Sequence, residues 1–448
     1  MNPTGYDMSN NEFEYEIKDN NEVRVTRYTG REEAECVIIP SRIDGKAVTS
    51  IGSNCFRDNG FLVCEIVVPE SVTTIEEDAF AYAVSMESLK LPDTIENIGE
   101  DFLLATALEE ICIPANVRHI DRPETLERKI SVSPENPYFF ADDYGLYEIR
   151  EDGNILLIAV NSSDKRVSYR IDDRATGIAI EGVRNAGHLN ELIIPKNLTS
   201  IPEGALSFTG NRSSDEFGIL RVNIEDGNDI FLSEKDALYE KLPDGGLKLV
   251  RFFGREKLEL IPGTRIIAEE ACKNTKLEEI IFPDDDIRVH KNAFQGTRMK
   301  WARFRESFNI FFGYEDLFTL SMLLEGFEST DKTYDFSKMD RFLMNEYLSE
   351  GRVKMMVNRM LNPRDLTEET EAVFRSKIES ELDYVLEMLA KEKDVDAFEG
   401  MGDLGFFTEK NIDSIIDKMN TEGHKELTAW FMSFKNSNIQ IKGASFLL

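Results

Sequence analysis

Leu89-Lys90-Leu91-Pro92 and Ile111-Cys112-Ile113-Pro114 carry one pattern, apolar-x-apolar-proline, with their prolines 22 positions apart. The pattern recurs as Val37-Ile38-Ile39-Pro40, Ile66-Val67-Val68-Pro69, Leu192-Ile193-Ile194-Pro195 and Ile280-Ile281-Phe282-Pro283. Further apolar residues stand three and six places beyond the proline: Val72 and Ile75, Ile95 and Ile98, Val117 and Ile120, Leu198 and Ile201. Small-plus-large pairs follow, Ala79-Phe80, Ala205-Leu206 and Ala293-Phe294. A short strand with alternating side chains buries one face, and the proline, which has no N–H to donate, ends its ladder. The later apolar positions fold back over the same core. One such unit cannot cover its own apolar face, so the units must stack as a solenoid.

This spacing resembles the BspA-like leucine-rich repeat, over about Val37 to Phe294. The resemblance implies a β-rich solenoid and an extended surface for macromolecular partners. Two stretches depart from the pattern. Around Leu258-Glu259-Leu260-Ile261-Pro262 the alternation shifts by one position, and Ile266-Ile267 and Ala271-Cys272 fall out of phase with it. The unit between Val167 and Val183 has Asp172 where the proline belongs.

Two interruptions share an internal duplication. Asn136-Pro137-Tyr138-Phe139, Leu146-Tyr147-Glu148 and Asp152-Gly153 are matched by Asn228-Asp229-Ile230-Phe231, Leu238-Tyr239-Glu240 and Asp244-Gly245 at a constant offset of 92 residues. Asp-Gly between alternating apolar runs is a favoured hairpin turn, so each copy reads as a β-hairpin projecting from the solenoid, near 131–160 and 222–252. Similar hairpins interrupt repeats in the BspA-like family.

After Phe294 the period changes. Phe374, Ile378, Leu382, Val385, Leu386 and Leu389 form one apolar face of a helix within Thr367–Lys391, with Asp365 and Thr367 as candidate N-caps. Helices are also expected over Glu315–Phe327, Lys338–Leu348 and Arg352–Leu361. Thr408–Lys435 reads as a helical hairpin turning at Glu422-Gly423 and burying Ile412, Ile415, Ile416, Leu427, Trp430 and Phe431. That hairpin resembles an ankyrin helix pair without the ankyrin turn. The expected fold is therefore α+β: a repeat solenoid with two inserted hairpins over 1–298 and an all-α domain over 299–448. The helices either cap the solenoid or form an interaction domain of their own, and their length favours the domain.

Composition narrows the function. The 448 residues carry a formal net charge of -32, which opposes binding to nucleic acid or to an anionic membrane surface, because both need clustered Lys and Arg. The first twenty residues contain acids and no apolar run, so a cytoplasmic location is expected. Five cysteines, Cys36, Cys55, Cys64, Cys112 and Cys272, include no CxxC pair and read as reduced thiols in a repeat framework. His119, His188, His290 and His424 stand apart from any metal-ligand spacing, and Asp142-Asp143 and Asp284-Asp285-Asp286 lack the order of a calcium loop. With no phosphate loop or nucleophile elbow either, the reading has no catalytic residue, cofactor or metal. Three sequons, at Asn161, Asn197 and Asn211, carry no weight without export.

The position two before each proline should face outward: Ile38, Val67, Lys90, Cys112, Ile193 and Ile281. Four of these are β-branched, which suits a contiguous protein-binding stripe, or alternatively reflects strand propensity alone. Four before the proline stand Glu65, Glu110, Glu191 and Glu279, with Cys36 and Ser88 in the other units. That acidic row either selects a basic partner or is a solvated rim. The leading expectation is a non-catalytic scaffold or adaptor that binds a protein of unspecified identity, in an oligomeric state the sequence leaves open. The alternatives are an exported adhesin for host protein or glycan, and an enzyme in the helical domain.

Overall fold

A computed structural model describes residues 12–30, 33–58, 62–123, 128–184, 186–207, 219–283, 287–290, 292–304, 308–311, 336–345, 347–393 and 395–439. The chain divides into two compact units, Met1–Leu242 and Pro243–Leu448.

In the first unit each turn gives two strands. The strand that precedes the proline stacks in parallel on its neighbours: Ala34–Ile38 on Val63–Val67, and that on Ser88–Lys90, with Val37, Ile66 and Leu89 in one row. A second ladder is made by Lys46–Ile51 and by the short strands Thr74–Ile75, Asn97–Ile98 and His119–Ile120, so that Ile51, Ile75, Ile98 and Ile120 align and are buried. Val72, Ile95, Val117 and Leu198, the residues three beyond the prolines, are fully buried between the ladders. The corner that follows needs a left-handed residue nine places after the proline. Asp78, Asp101, Gly204 and, in the second unit, Asn292 supply it with φ of 55°, 53°, 81° and 62°, residue types that pay least for that conformation.

The stack opens on an antiparallel hairpin, Phe13–Ile17 with Val23–Tyr28, whose second strand joins Lys46–Ile51 in parallel. Tyr28 stacks on Phe56 at 5.2 Å, and Phe56 lies 5.3 Å from Phe80, so the first open core face is covered by rings. Arg24 of this cap reaches Glu76 in the second turn, with Nε donating to Oε1 at 2.7 Å.

The duplicated insertions do not project. Phe139–Ala141, Gly145–Ile149 and Ile155–Val160 form an antiparallel meander, and the last of these pairs in parallel with Gly177–Ile178, Leu157 opposite Ile178. It thus begins a further parallel ladder, in a sheet separate from the one that ends at His119–Ile120. The reason is burial: Leu157, Ile158, Ala159 and Val160 are all buried, a run too apolar for an excursion into solvent. In the second copy Phe231–Glu234 and Ala237–Lys241 are antiparallel in the first unit. The turn at Gly245 (φ 81°) opens the second unit, where Leu247–Phe252 again enters a parallel ladder, Leu249 opposite Ile267.

Both weak turns are present. Ser168–Arg170 pairs with Glu191–Ile194, Tyr169 opposite Leu192, with Asp172 at the proline position. In the second unit Lys257–Glu259 pairs with Glu279–Phe282, Leu258 opposite Ile280, and the out-of-phase residue Ile261 is absorbed as a buried insertion.

Strands also continue past the expected boundary at 298. Trp301–Phe304 stacks in parallel on Glu279–Phe282, and Phe308–Phe311 returns antiparallel to it. The turn ending in Trp301–Phe304 has no proline, which is why a proline-keyed reading stopped early. The helix expected at 315–327 lies outside the described residues.

Seven α-helices follow among the described residues: α1 Phe336–Asn345, α2 Glu350–Leu361, α3 Glu368–Ser380, α4 Leu382–Glu392, α5 Val395–Asp403, α6 Ile412–Thr421 and α7 Lys425–Phe434. The helix expected over 367–391 is broken at Glu381 (φ -119°, ψ 25°) into α3 and α4. Thr367 caps α3, its Oγ1 accepting from the Thr370 N–H at 3.1 Å, whereas Asp365 is left-handed (φ 55°) and caps nothing. The α6–α7 hairpin turns at Gly423 (φ 83°) and buries Ile412, Ile415, Ile416, Leu427 and Phe431, while Trp430 is half-buried and stacks on Phe434. No described helix is long and apolar enough to cross a membrane.

Candidate binding face

Alternation along the proline-preceding strands sends every second side chain outward. None of the ten residues expected to face outward is buried: Ile38, Lys90, Cys112 and Glu110 are exposed, and Val67, Ile193, Ile281, Glu65, Glu191 and Glu279 are half-buried. Strand register shows which neighbours they meet. In the first unit Ile38, Val67 and Lys90 form one row, Cys112 lies beside Ser131, and Ile193 lies between Arg170 and Asn223. In the second unit Ile281 lies between Glu259 and Arg303.

The apolar stripe is therefore not contiguous. Turns without the proline place Ser131, Arg170, Asn223 and Arg303 in the same rows, and a search keyed on proline skips them. Counting back one turn of 23 residues from Ile193 reaches Arg170, and counting on 22 from Ile281 reaches Arg303, whereas Ser131 and Asn223 stand 19 and 30 residues beyond Cys112 and Ile193 and fall outside a fixed period.

The acidic row is compensated. Glu65 pairs with Lys90 at 2.6 Å, Glu110 with Lys129 at 2.8 Å, Glu191 with Arg221 at 2.9 Å and Glu279 with Lys257 at 3.5 Å, Arg303 adding a second cation at Glu279. Each cation comes from an adjacent turn. The Ser168 hydroxyl at 2.8 Å, then Arg221, holds the Glu191 carboxyl below the usual range, and Lys129 does the same for Glu110. The face thus presents alternating paired charges around separate apolar side chains, which suits shape-specific recognition better than long-range attraction of a cation.

The remaining polar candidates are engaged in structure. Asp142 accepts hydrogen bonds from Tyr169 at 2.7 Å and Tyr147 at 3.0 Å, and Asp143 pairs with Arg166 at 3.2 Å. Burial pushes both tyrosine hydroxyls well above the ordinary range, so both stay protonated. Cys55 and Cys272 are buried, and burial pushes the Cys272 thiol up to about 12, whereas Cys36, Cys64 and Cys112 are exposed. Asn161 is buried and Asn197 exposed; Asn211 and Asp284-Asp285-Asp286 lie outside the described residues. No group of three metal-ligating side chains occurs among the described residues.

The family model described as BspA type leucine rich repeat region matches residues 35–124 and 256–325 in six copies. The repeats are of the BspA type. Parallel stacking of turns continues in the intervening residues, where Tyr169 lies opposite Leu192. No curated protein matches the chain. Three solved structures are similar to it. A leucine rich cell surface protein from Faecalibacterium prausnitzii is 17% identical over 67% of this chain and 94% of its own, with a TM-score of 0.33. The pneumococcal vaccine antigen PcpA is 16% identical over 66% of this chain and 69% of its own, TM-score 0.35. A leucine-rich repeat protein from Bacteroides capillosus is 28% identical over 27% of this chain and 94% of its own, TM-score 0.24.

Proposed function

We propose that this BspA-type protein is a protein-binding scaffold rather than an enzyme, and that the outward face of its proline-preceding strands is a recognition surface. The observation that carries this reading is the register of that face: successive turns hold accessible side chains in fixed rows, each acid paired with a neighbouring cation. A rigid backbone pre-pays the ordering cost of an extended surface, which is how repeat proteins gain affinity without a deep pocket. The helices of the second unit serve as a further contact domain in this reading, and the protein works inside the cell.

The test compares partners co-purified with the wild-type chain and with an Ile38→Ser/Ile193→Ser variant from the native cells, fractionated into cytoplasm and envelope. Loss of a specific cytoplasmic partner by a variant that melts like wild type supports the reading. Retention of every partner by the variant contradicts the assignment to this face.

A further inference from the structure

A second surface of the first unit differs from the strand face in strain, polarity and charge. It is the corner where each turn leaves the second ladder. Tyr82, Val84 and Leu104 are 41%, 55% and 40% exposed there, and the Tyr82 N–H donates to the Leu104 carbonyl at 2.8 Å, so neighbouring turns bring the three together.

Tyr82 has φ 64°, a left-handed conformation that is uncommon for a bulky residue. Thirteen places after the proline, Tyr82 in one turn corresponds to Gly296 (φ 72°) in another, and the irregular turn uses Asn274 (φ 57°). Glycine and asparagine adopt this conformation at little cost, and a tyrosine does not. Its ring is not spent on the core either, since it stays exposed with the Arg57 guanidinium 5.0 Å from its centroid.

Asp78 stands four residues before Tyr82 and Asp101 three before Leu104, and their carbonyls accept from the Ala81 and Leu104 N–H groups at 3.0 and 2.8 Å. Unlike the four glutamates of the strand face, neither makes an ion pair among the described residues. Partial burial and then the charge of Asp101 raise the Asp78 carboxyl, against a smaller opposing effect of the Arg57 charge. Glu100 in the same corner is matched by Arg122 at 3.1 Å.

We propose that the corner formed by Tyr82, Val84 and Leu104 with Asp78 and Asp101 docks a protein segment that carries lysine or arginine beside apolar side chains. The inference rests on the protein-binding reading but assigns the contact to a different surface. The exposed ring and aliphatic groups anchor the apolar side chains, and the two carboxylates, which make no direct ion pair among the described residues, select the cation.

The test uses the full chain and a fluorescein-labelled leucine–lysine amphipathic peptide, with its leucine–glutamate counterpart as control, titrated by anisotropy. Glycine suits the backbone at position 82, so Tyr82→Gly removes the ring without unfolding the turn, and asparagine suits positions 78 and 101. The lysine peptide is expected to bind and the glutamate peptide not to. Tyr82→Gly is expected to weaken binding by about tenfold or more. Asp78→Asn/Asp101→Asn should weaken it severalfold and flatten its salt dependence, with Ile193→Ser unchanged. Equal binding by Tyr82→Gly and wild type would overturn the assignment, as would no binding of the lysine peptide at low salt. Loss in Ile193→Ser with retention in Tyr82→Gly would leave the strand face standing and remove the corner.

Discussion

Asn136 and Asn228, 92 residues apart in sequence, make the same four hydrogen bonds. Each amide nitrogen donates to two carbonyls of an earlier turn, Pro114 (2.7 Å) and Val117 (2.9 Å) for Asn136, Pro195 (3.1 Å) and Leu198 (2.9 Å) for Asn228. Each amide oxygen accepts two backbone N–H groups of the following insertion, Tyr138 and Phe139 at 2.8 and 2.9 Å, Ile230 and Phe231 at 3.0 and 2.7 Å. Both side chains are buried. They fasten the start of each insertion to the turn before it.

Asparagine is the side chain that offers donors and an acceptor in this geometry. Asn136→Ala leaves buried N–H and C=O groups without partners, and Asn136→Asp sets a carboxylate against two carbonyls. Each is expected to lower stability by about 3 kcal/mol, and Asn228→Ala by a similar amount. Urea unfolding of the full chain measures it, and a change below about 1 kcal/mol would refute the clamp.

The cap hairpin depends on pH through Glu76. Arg24, its hydrogen-bond partner, holds the Glu76 carboxyl below the usual range against a smaller opposing effect of burial. A carboxyl depressed in the folded state adds stability that is present above its unfolded value, about 4.3, and lost as pH falls through the folded value. Amide exchange in Val23–Tyr28 should therefore be steady from neutral pH down to about 5 and then lose protection at more acid pH, after correction for intrinsic rates. Glu76→Gln should abolish that acid sensitivity. Because both side chains are about a quarter exposed, the substitution should cost only about 1 kcal/mol at pH 7.

In the helical region Asp340 of α1 and Arg359 of α2 form a buried two-point ion pair, at 2.8 and 2.7 Å. Asp340→Ala strands the guanidinium and is expected to cost about 3–5 kcal/mol, whereas Asp340→Leu with Arg359→Met should recover most of the loss. Helical circular dichroism followed through thermal melting separates these cases.

Ala105 is left-handed at φ 56° without a hydrogen-bonding side chain to compensate. Ala105→Gly should stabilise the turn by about 0.5–1 kcal/mol, the relief of backbone strain exceeding the added freedom of the unfolded chain. A lower midpoint in the same urea assay would show that the methyl group packs usefully.

The repeat was legible because its apolar spacing repeats wherever the proline does: Val72, Ile75 and Phe80 are buried at the positions that spacing assigned. The two insertions were legible as a duplication but not in their placement, since a local alternating pattern does not state that Leu157 will pair with Ile178 in the next turn. The outward rows were half legible. Side-chain direction follows from alternation within a strand, yet the neighbours of Ile193 are fixed by stacking with strands that carry no proline signal, and so Arg170 and Asn223 were missed. The break at Glu381 was hidden because the apolar face continues across it and only the cap geometry changes.

The most direct test of the scaffold reading is in-cell photo-crosslinking with p-benzoylphenylalanine at position 193, which faces outward, and at position 192, which is buried. A discrete protein adduct is expected from 193 and none from 192. No adduct from 193, or equal adducts from 193 and 192, would contradict recognition by the strand face.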